Sequence, residues 1–423
     1  MTEHAIKRTF KSSLGTGFAA LLTCLVLSMI FWPIWSTVMK SIFTTFASQG
    51  LTAVEPKVAA KLLGAMVEGS FFWMVINTWI WQTLIMGNYG KTKFTEKQPW
   101  AGLWYVLVAW FFGIVAFIAL IGFIGIWWRP FNLALMFMPQ TAADVALAVE
   151  GWEASNFFAL AVILAQIPFA SLLHRWPFAG TSKQPTEGLG TLAFSTLVTY
   201  IVWLALIVPS FLHPVIGEHH ITSQPFGSWP AFVAFCQAFV IFSIMPAEGA
   251  ENYPMKLFAK KQPYMAIVGF LIALAAGFII PPVIKNMIVI PLNLVPPGTP
   301  ADVIVASLEL SVIVFMLAWH HLFDDYPNAQ LVPNTAVRVL TRIAIWVVGG
   351  AVYGVLWLKY FKLLPIGANN FGMGFTTMGI LAGQFTFLMT LLIFNTFFDK
   401  WPLVRKQSAN EAVKLHGTLV ANK

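Results

Sequence analysis

Ten apolar runs separated by short polar segments constrain this chain more than any other feature. They lie near residues 17–37, 70–87, 101–128, 155–173, 190–212, 231–248, 265–285, 303–322, 340–359 and 378–398. Each is about as long as a bilayer core requires, near 20 residues for a helix. In hydrocarbon, only helices and closed barrels satisfy every backbone N–H and C=O. Runs such as 101–128 and 265–285 are too long and too continuously apolar for barrel strands. The expectation is an all-α, polytopic membrane protein of ten transmembrane helices. Composition agrees, with 58% hydrophobic and 10% charged residues, where a soluble domain carries roughly a quarter charged.

In a soluble protein the net charge of +8 would suggest nucleic acid; here the placement of the basic residues argues for topology instead. With an internal N-terminus, Lys7, Arg8, Lys11, Lys91, Lys93, Lys97, Arg175, Lys183, Lys256, Lys260, Lys261, Arg338, Arg342, Lys400, Arg405, Lys406, Lys414 and Lys423 fall inside. These are 18 of the 25 Lys and Arg residues. Only Lys40, Lys57, Lys61, Arg129, Lys285, Lys359 and Lys362 fall outside. The positive-inside rule therefore predicts both termini in the cytoplasm. The N-terminal run continues to about Ser36 without a small-x-small cleavage site, so it reads as a retained helix rather than a signal peptide. Cys24 and Cys236 both sit inside apolar runs, which argues against a disulfide framework.

Self-comparison shows an internal repeat. Even-numbered runs end at an aromatic residue, mostly followed by proline: Tyr89-Gly90, Trp176-Pro177, Tyr253-Pro254, Tyr326-Pro327 and Trp401-Pro402. A Lys-Gln-Pro triplet follows three of these, at Lys97-Gln98-Pro99, Lys183-Gln184-Pro185 and Lys261-Gln262-Pro263. The motif reads as structural, with proline stopping the helix, the ring at headgroup level and lysine meeting anionic lipid. Trp32-Pro33, Arg129-Pro130, His213-Pro214 and Pro281-Pro282 are read as closing odd-numbered helices, and Thr141 with Asp144 and Thr299 with Asp302 as capping boxes. Each unit begins and ends inside, so the chain divides into five parallel hairpins over 14–99, 100–185, 186–263, 264–333 and 334–403, with a tail over 404–423. Parallel repeats are related by an axis along the membrane normal.

Ionisable groups within spans are functional candidates because they are costly there. Glu248 follows Pro246 near the inner end of the sixth run. His320, His321, Asp324 and Asp325 close the eighth, where an imidazole and a carboxylate three or four residues on, His320 with Asp324 or His321 with Asp324 or Asp325, suit proton handling. Adjacent histidines point about 100° apart on a helix, so His320 and His321 are not expected to share one ion from a single face. Glu251, Asp324 and Asp399 recur two residues before the aromatic, where an acid opposes the helix dipole; basic residues of neighbouring inner loops are the expected partners. The outer segment with His213, Glu218, His219 and His220 has the residue types of a Zn²⁺ or Cu²⁺ site without a known spacing. Amides at Gln166, Gln237 and Asn395, with Asn77, Gln82 and Gln384, all lie on even-numbered runs. That distribution places the even helices inside and the odd ones against lipid.

The chain holds no Walker loop, nucleophile elbow, dinucleotide fingerprint or His-Glu-x-x-His, so no recognised motif requires a cofactor and none supports ATP-driven pumping. The reading favoured is a permease, either a secondary transporter or a channel-like carrier of a small solute, with proton coupling through Glu248 and the histidines. The competing readings are a membrane-embedded redox or hydrolytic subunit using the His/Asp cluster, and a non-catalytic anchor. Expected partners are the bilayer, a small solute or ion, and a membrane-protein partner or second copy, with no nucleic acid. The expected location is a prokaryotic inner (plasma) membrane.

Overall fold

The structure is a computed structural model that describes residues 6–10, 12–90, 97–207, 229–364 and 379–406. Its helices are α1 (Ser13–Phe46), α2 (Pro56–Ile85), α3 (Trp100–Ile124), α4 (Ala142–Ser171), α5 (Thr186–Val202, continued with wider turns over Trp203–Ile207), α6 (Trp229–Ile244), α7 (Tyr264–Ile284), α8 (Ala301–Phe323), α9 (Thr335–Tyr360) and α10 (Gly379–Thr396). Eight are long and apolar enough to cross a membrane; α6 and α10 are apolar but shorter over their described residues.

Burial sorts these helices by parity. In their most apolar stretches α2, α4 and α8 have 72%, 89% and 78% of residues buried, whereas α1, α3, α5, α7 and α9 have 28% each. The second set presents a continuous apolar surface outward, for example Leu107, Phe111 and Ile118 of α3 and Phe270, Leu271 and Phe278 of α7. Such a face is stable only against lipid or another apolar partner. The inner helices contact one another in the order α2, α4, α6, α8, α10. The circuit closes between α10 and α2 through Phe72 against Phe385 and the Trp79 indole donating to Thr396 Oγ1 at 3.0 Å. Each later outer helix lies beside the inner helix before it in sequence, and α1 packs on α2, α8 and α10. Gly17 of α1 allows that approach, because a Cβ there would overlap the Phe323 ring. At the same seam two short strands, β1 (Ile6–Arg8) and β2 (Val404–Lys406), pair antiparallel and join the two ends of the described chain.

The inner helices end alike. Gly87 and Asn88, His174 and Arg175, Glu251 and Asn252, Asp324 and Asp325, and Asp399 and Lys400 all have positive φ, and the aromatic residue follows each pair. Two left-handed residues turn the chain before the proline of the aromatic-proline pair is reached. The expected role of proline as the helix stop is therefore corrected: Pro99, Pro185 and Pro263 instead stand at the N-caps of α3, α5 and α7. The X-Pro bonds at both motifs are cis. Other expectations shift as well. α1 continues through Pro33 for 34 residues, and α7 runs through Pro281 and Pro282, because proline inside a helix removes one hydrogen bond without obliging the chain to stop. Thr141 and Asp144 form the expected capping box. Thr299 and Asp302 do not; Pro300 is the N-cap of α8 and Asp302 pairs with Lys285 at 3.0 Å.

Candidate functional site

The strongest concentration of polar groups stands where α6 and α8 end side by side. Beyond Ile244 the chain leaves α6 in tight turns, and the Glu248 N–H donates to the Ile244 carbonyl at 3.0 Å, which aims the Glu248 side chain at α8. His320 and His321 fill the last turn of α8, with ring centroids 4.8 Å apart and planes 74° apart. His320 Nε2 lies 2.9 Å from Glu248 Oε2, and His320 Nδ1 lies 2.8 Å from Asp325 Oδ2. His321 Nε2 lies 3.8 Å from the same Glu248 oxygen, and its Nδ1 is 2.9 Å from the Asn395 amide of α10. Trp79 of α2 sets the edge of its indole against the His321 ring. Glu248, just beyond the end of α6, enters between the directions of the two histidines, so the Nε2 atoms of both lie toward its carboxylate.

Backbone geometry separates the two aspartates that sequence left equivalent. In their left-handed turn Asp325 folds back to His320, whereas Asp324 pairs with Lys400 at 2.8 Å. The structure thus gathers Glu248, His320, His321, Asp325 and Asn395. Gln237 lies farther along the same axis, on a cavity that Glu248 also lines. Gln166 is not part of the group; its carbonyl accepts from Trp81 Nε1 at 2.7 Å and its amide donates to Thr199 at 3.3 Å, tying α4 to α2 and α5. His213, His219 and His220 lie outside the described residues.

That cavity has a volume of about 70 Å³ and lies between the inner helices. Ile80 of α2, Ile163 of α4, Val240 of α6, Leu317 of α8 and Leu392 of α10 contribute to its wall, with Cys236, Gln237 and Glu248 among its few polar residues.

The basic partners expected for Glu251 are Arg338 and Arg342, while two buried acids elsewhere in the helices, Glu309 and Glu68, went unmarked in the sequence. Arg338 and Arg342, near the start of α9, are buried and clamp the chain that follows Glu248. Arg338 binds Glu251 through two 2.7 Å bonds, and Arg342 reaches the carbonyls of Gly249 at 2.8 Å and Pro327 at 2.9 Å. The bidentate bond to Arg338 holds the Glu251 carboxyl below its ordinary range, and Arg342 and Lys256 add to the effect. Glu309 is 1% exposed and neither carboxylate oxygen has a hydrogen-bond partner among the described residues. It stands in the middle of the run 303–322, where its charge alone should have marked it. Glu68, similarly buried on α2, lay just outside the expected span. No family model, curated protein or solved structure matches the chain.

Proposed function

We propose that the chain is a permease for a small solute or ion. In this reading ten spans form five parallel hairpins around a central pathway, with both termini on the cytoplasmic side of a prokaryotic inner membrane. The observation that carries the reading is the cavity on the shared axis of the inner helices, ending at Glu248. A solid anchor has no need of an axial space bounded by five separate helices, since helix packing ordinarily fills such space. Sites for organic cofactors run to about 300 Å³ or more, and about 70 Å³ suits a few waters or one small ion. The mainly apolar wall is suited to gating by exclusion of water. The hairpin reading draws support from the alternation of inner and outer helices and from the five equivalent left-handed turns.

Reconstituted liposomes test this. Uptake of a panel of labelled ions and small metabolites is expected for at least one member, and Ile163→Trp should abolish it by filling the cavity. In a Cys24→Ser background, Cys236 should react with a small thiosulfonate during turnover. Absence of flux across the panel, with Cys236 unreactive throughout, would favour the anchor.

A further inference from the structure

We infer that Glu248, His320 and His321 form a binding site for one divalent transition-metal ion of the zinc class. The inference goes beyond the permease reading and does not depend on it. Three donor atoms, one from each residue, lie within 4.8 Å of one another. In a tetrahedral site with metal–ligand distances of 2.0–2.1 Å, donors stand about 3.3 Å apart. The separations from Glu248 Oε2, 2.9 Å to His320 Nε2 and 3.8 Å to His321 Nε2, bracket that value, and the widest separation in the group, within 4.8 Å, closes when the two rings draw together around the ion. His321 Nε2 is buried and has no hydrogen-bond partner among the described residues.

The outer contacts support a metal over a simple ion pair. Metal-bound histidines nearly always have their second ring nitrogen held by a carboxylate, carbonyl or other polar group, which fixes tautomer and ring direction. Here both do: Asp325 holds Nδ1 of His320, and Asn395 holds Nδ1 of His321. In the structure the Asn395 amide nitrogen faces that Nδ1; a half-turn of the amide presents its oxygen instead and leaves Nε2 free to ligate. Glu248 and Asp325 together supply two negative charges, which a divalent ion balances. Two imidazoles and one carboxylate match borderline ions such as Zn²⁺ and Co²⁺ rather than Mg²⁺ or Ca²⁺. Three protein ligands leave a fourth position for water or a transported group, at the end of the cavity that Glu248 lines.

The test uses the full chain, purified in detergent, with its affinity tag removed and stripped by chelator. Zn²⁺ titration is expected to show one tight site per chain, and Co²⁺ to give the visible absorption of a tetrahedral His/carboxylate complex. His321→Ala and Glu248→Gln should each abolish the Co²⁺ spectrum. Asp325→Asn and Asn395→Leu should weaken Zn²⁺ binding by roughly 10–100-fold, the usual effect of losing an outer partner. A triple variant, His213→Asn with His219→Asn and His220→Asn, should leave the site intact. Each variant is first confirmed as a monodisperse peak in size-exclusion chromatography. Stoichiometric binding that disappears in the triple variant but persists in His321→Ala would overturn the inference. So would absence of tight Zn²⁺ binding in the native chain.

Discussion

Gln98 connects the start of α3 to the end of α10: its amide nitrogen donates to the Phe397 carbonyl at 2.8 Å and to Asp399 Oδ2 at 3.1 Å, while its carbonyl accepts from Gly102 N–H at 3.2 Å. One side chain therefore caps one helix and holds the end of another. Gln262 does the same, accepting from Ala266 and donating to the Leu172 carbonyl. Gln98→Leu keeps the approximate volume and removes all three bonds. The expected cost is about 1–3 kcal/mol, read as a lowered melting temperature in fluorescence-detected size-exclusion chromatography; an unchanged midpoint would show that these bonds do not hold the junction.

Glu251 supplies a pH-dependent share of stability. Its carboxyl, held low by Arg338, contributes stability fully present above the unfolded value of about 4.3 and lost as pH falls through the lower folded value. Thermal stability should drop as pH is lowered below that point, and Glu251→Gln should flatten the drop. At neutral pH the substitution leaves the Arg338 and Arg342 guanidinium groups short of a charge partner, and the melting temperature should fall. A variant as stable as the native chain at pH 7 would contradict the clamp.

The left-handed turns predict an unusual tolerance pattern. Asn88 has φ 55°, a conformation open to Asn and Gly but penalised by roughly 1–2 kcal/mol in other residues. Asn88→Gly should be within about 0.5 kcal/mol of native and Asn88→Val destabilised by about 2 kcal/mol. Chemical denaturation in detergent distinguishes the two, and equal stabilities would show that the turn does not constrain the residue.

Close packing at Gly17 predicts that Gly17→Val, which forces a side chain into the Phe323 ring, costs about 1–3 kcal/mol. Pairing it with Phe323→Ala should recover part of the loss, which a double-mutant cycle measures.

Topology is checked by reporters fused after Lys183 and after Lys423. Both should report from the cytoplasm; either reporting from outside would exclude the ten-span arrangement.

The class of the fold was legible because a bilayer leaves few options to runs as apolar as 101–128, and the inner position of the even helices was legible in amides such as Gln237. The junctions were half legible. Sequence marked the aromatic-proline pairs, yet the helix stops are left-handed residues such as Asp399 and Lys400, whose φ no composition reveals. The candidate site was legible as a pairing of Glu248 with the histidines at neighbouring inner helix ends, but its geometry was not. Glu248 and His320 come together only because α6 and α8 are neighbours in a closed circuit, and the choice of Asp325 over Asp324 follows from one turn of backbone. Gln98 and Phe397 are too far apart in the chain for any local pattern to relate them.

The strand pair that joins the two ends has a consequence for the order of assembly. β1 and β2 meet at the seam where α1, which also packs on α2, packs on α8 and α10, so a helix made early is packed in part by helices made later. α2 can cover part of α1 as soon as it is made, but the face of α1 that meets α8 and α10 stays uncovered by this chain until those helices have been inserted. Linear repeat arrays grow by adding units to a stable stack and tolerate loss of a terminal one. A circuit has no terminal unit to lose: each inner helix has an inner neighbour on both sides, so removing any one would expose two interfaces at once.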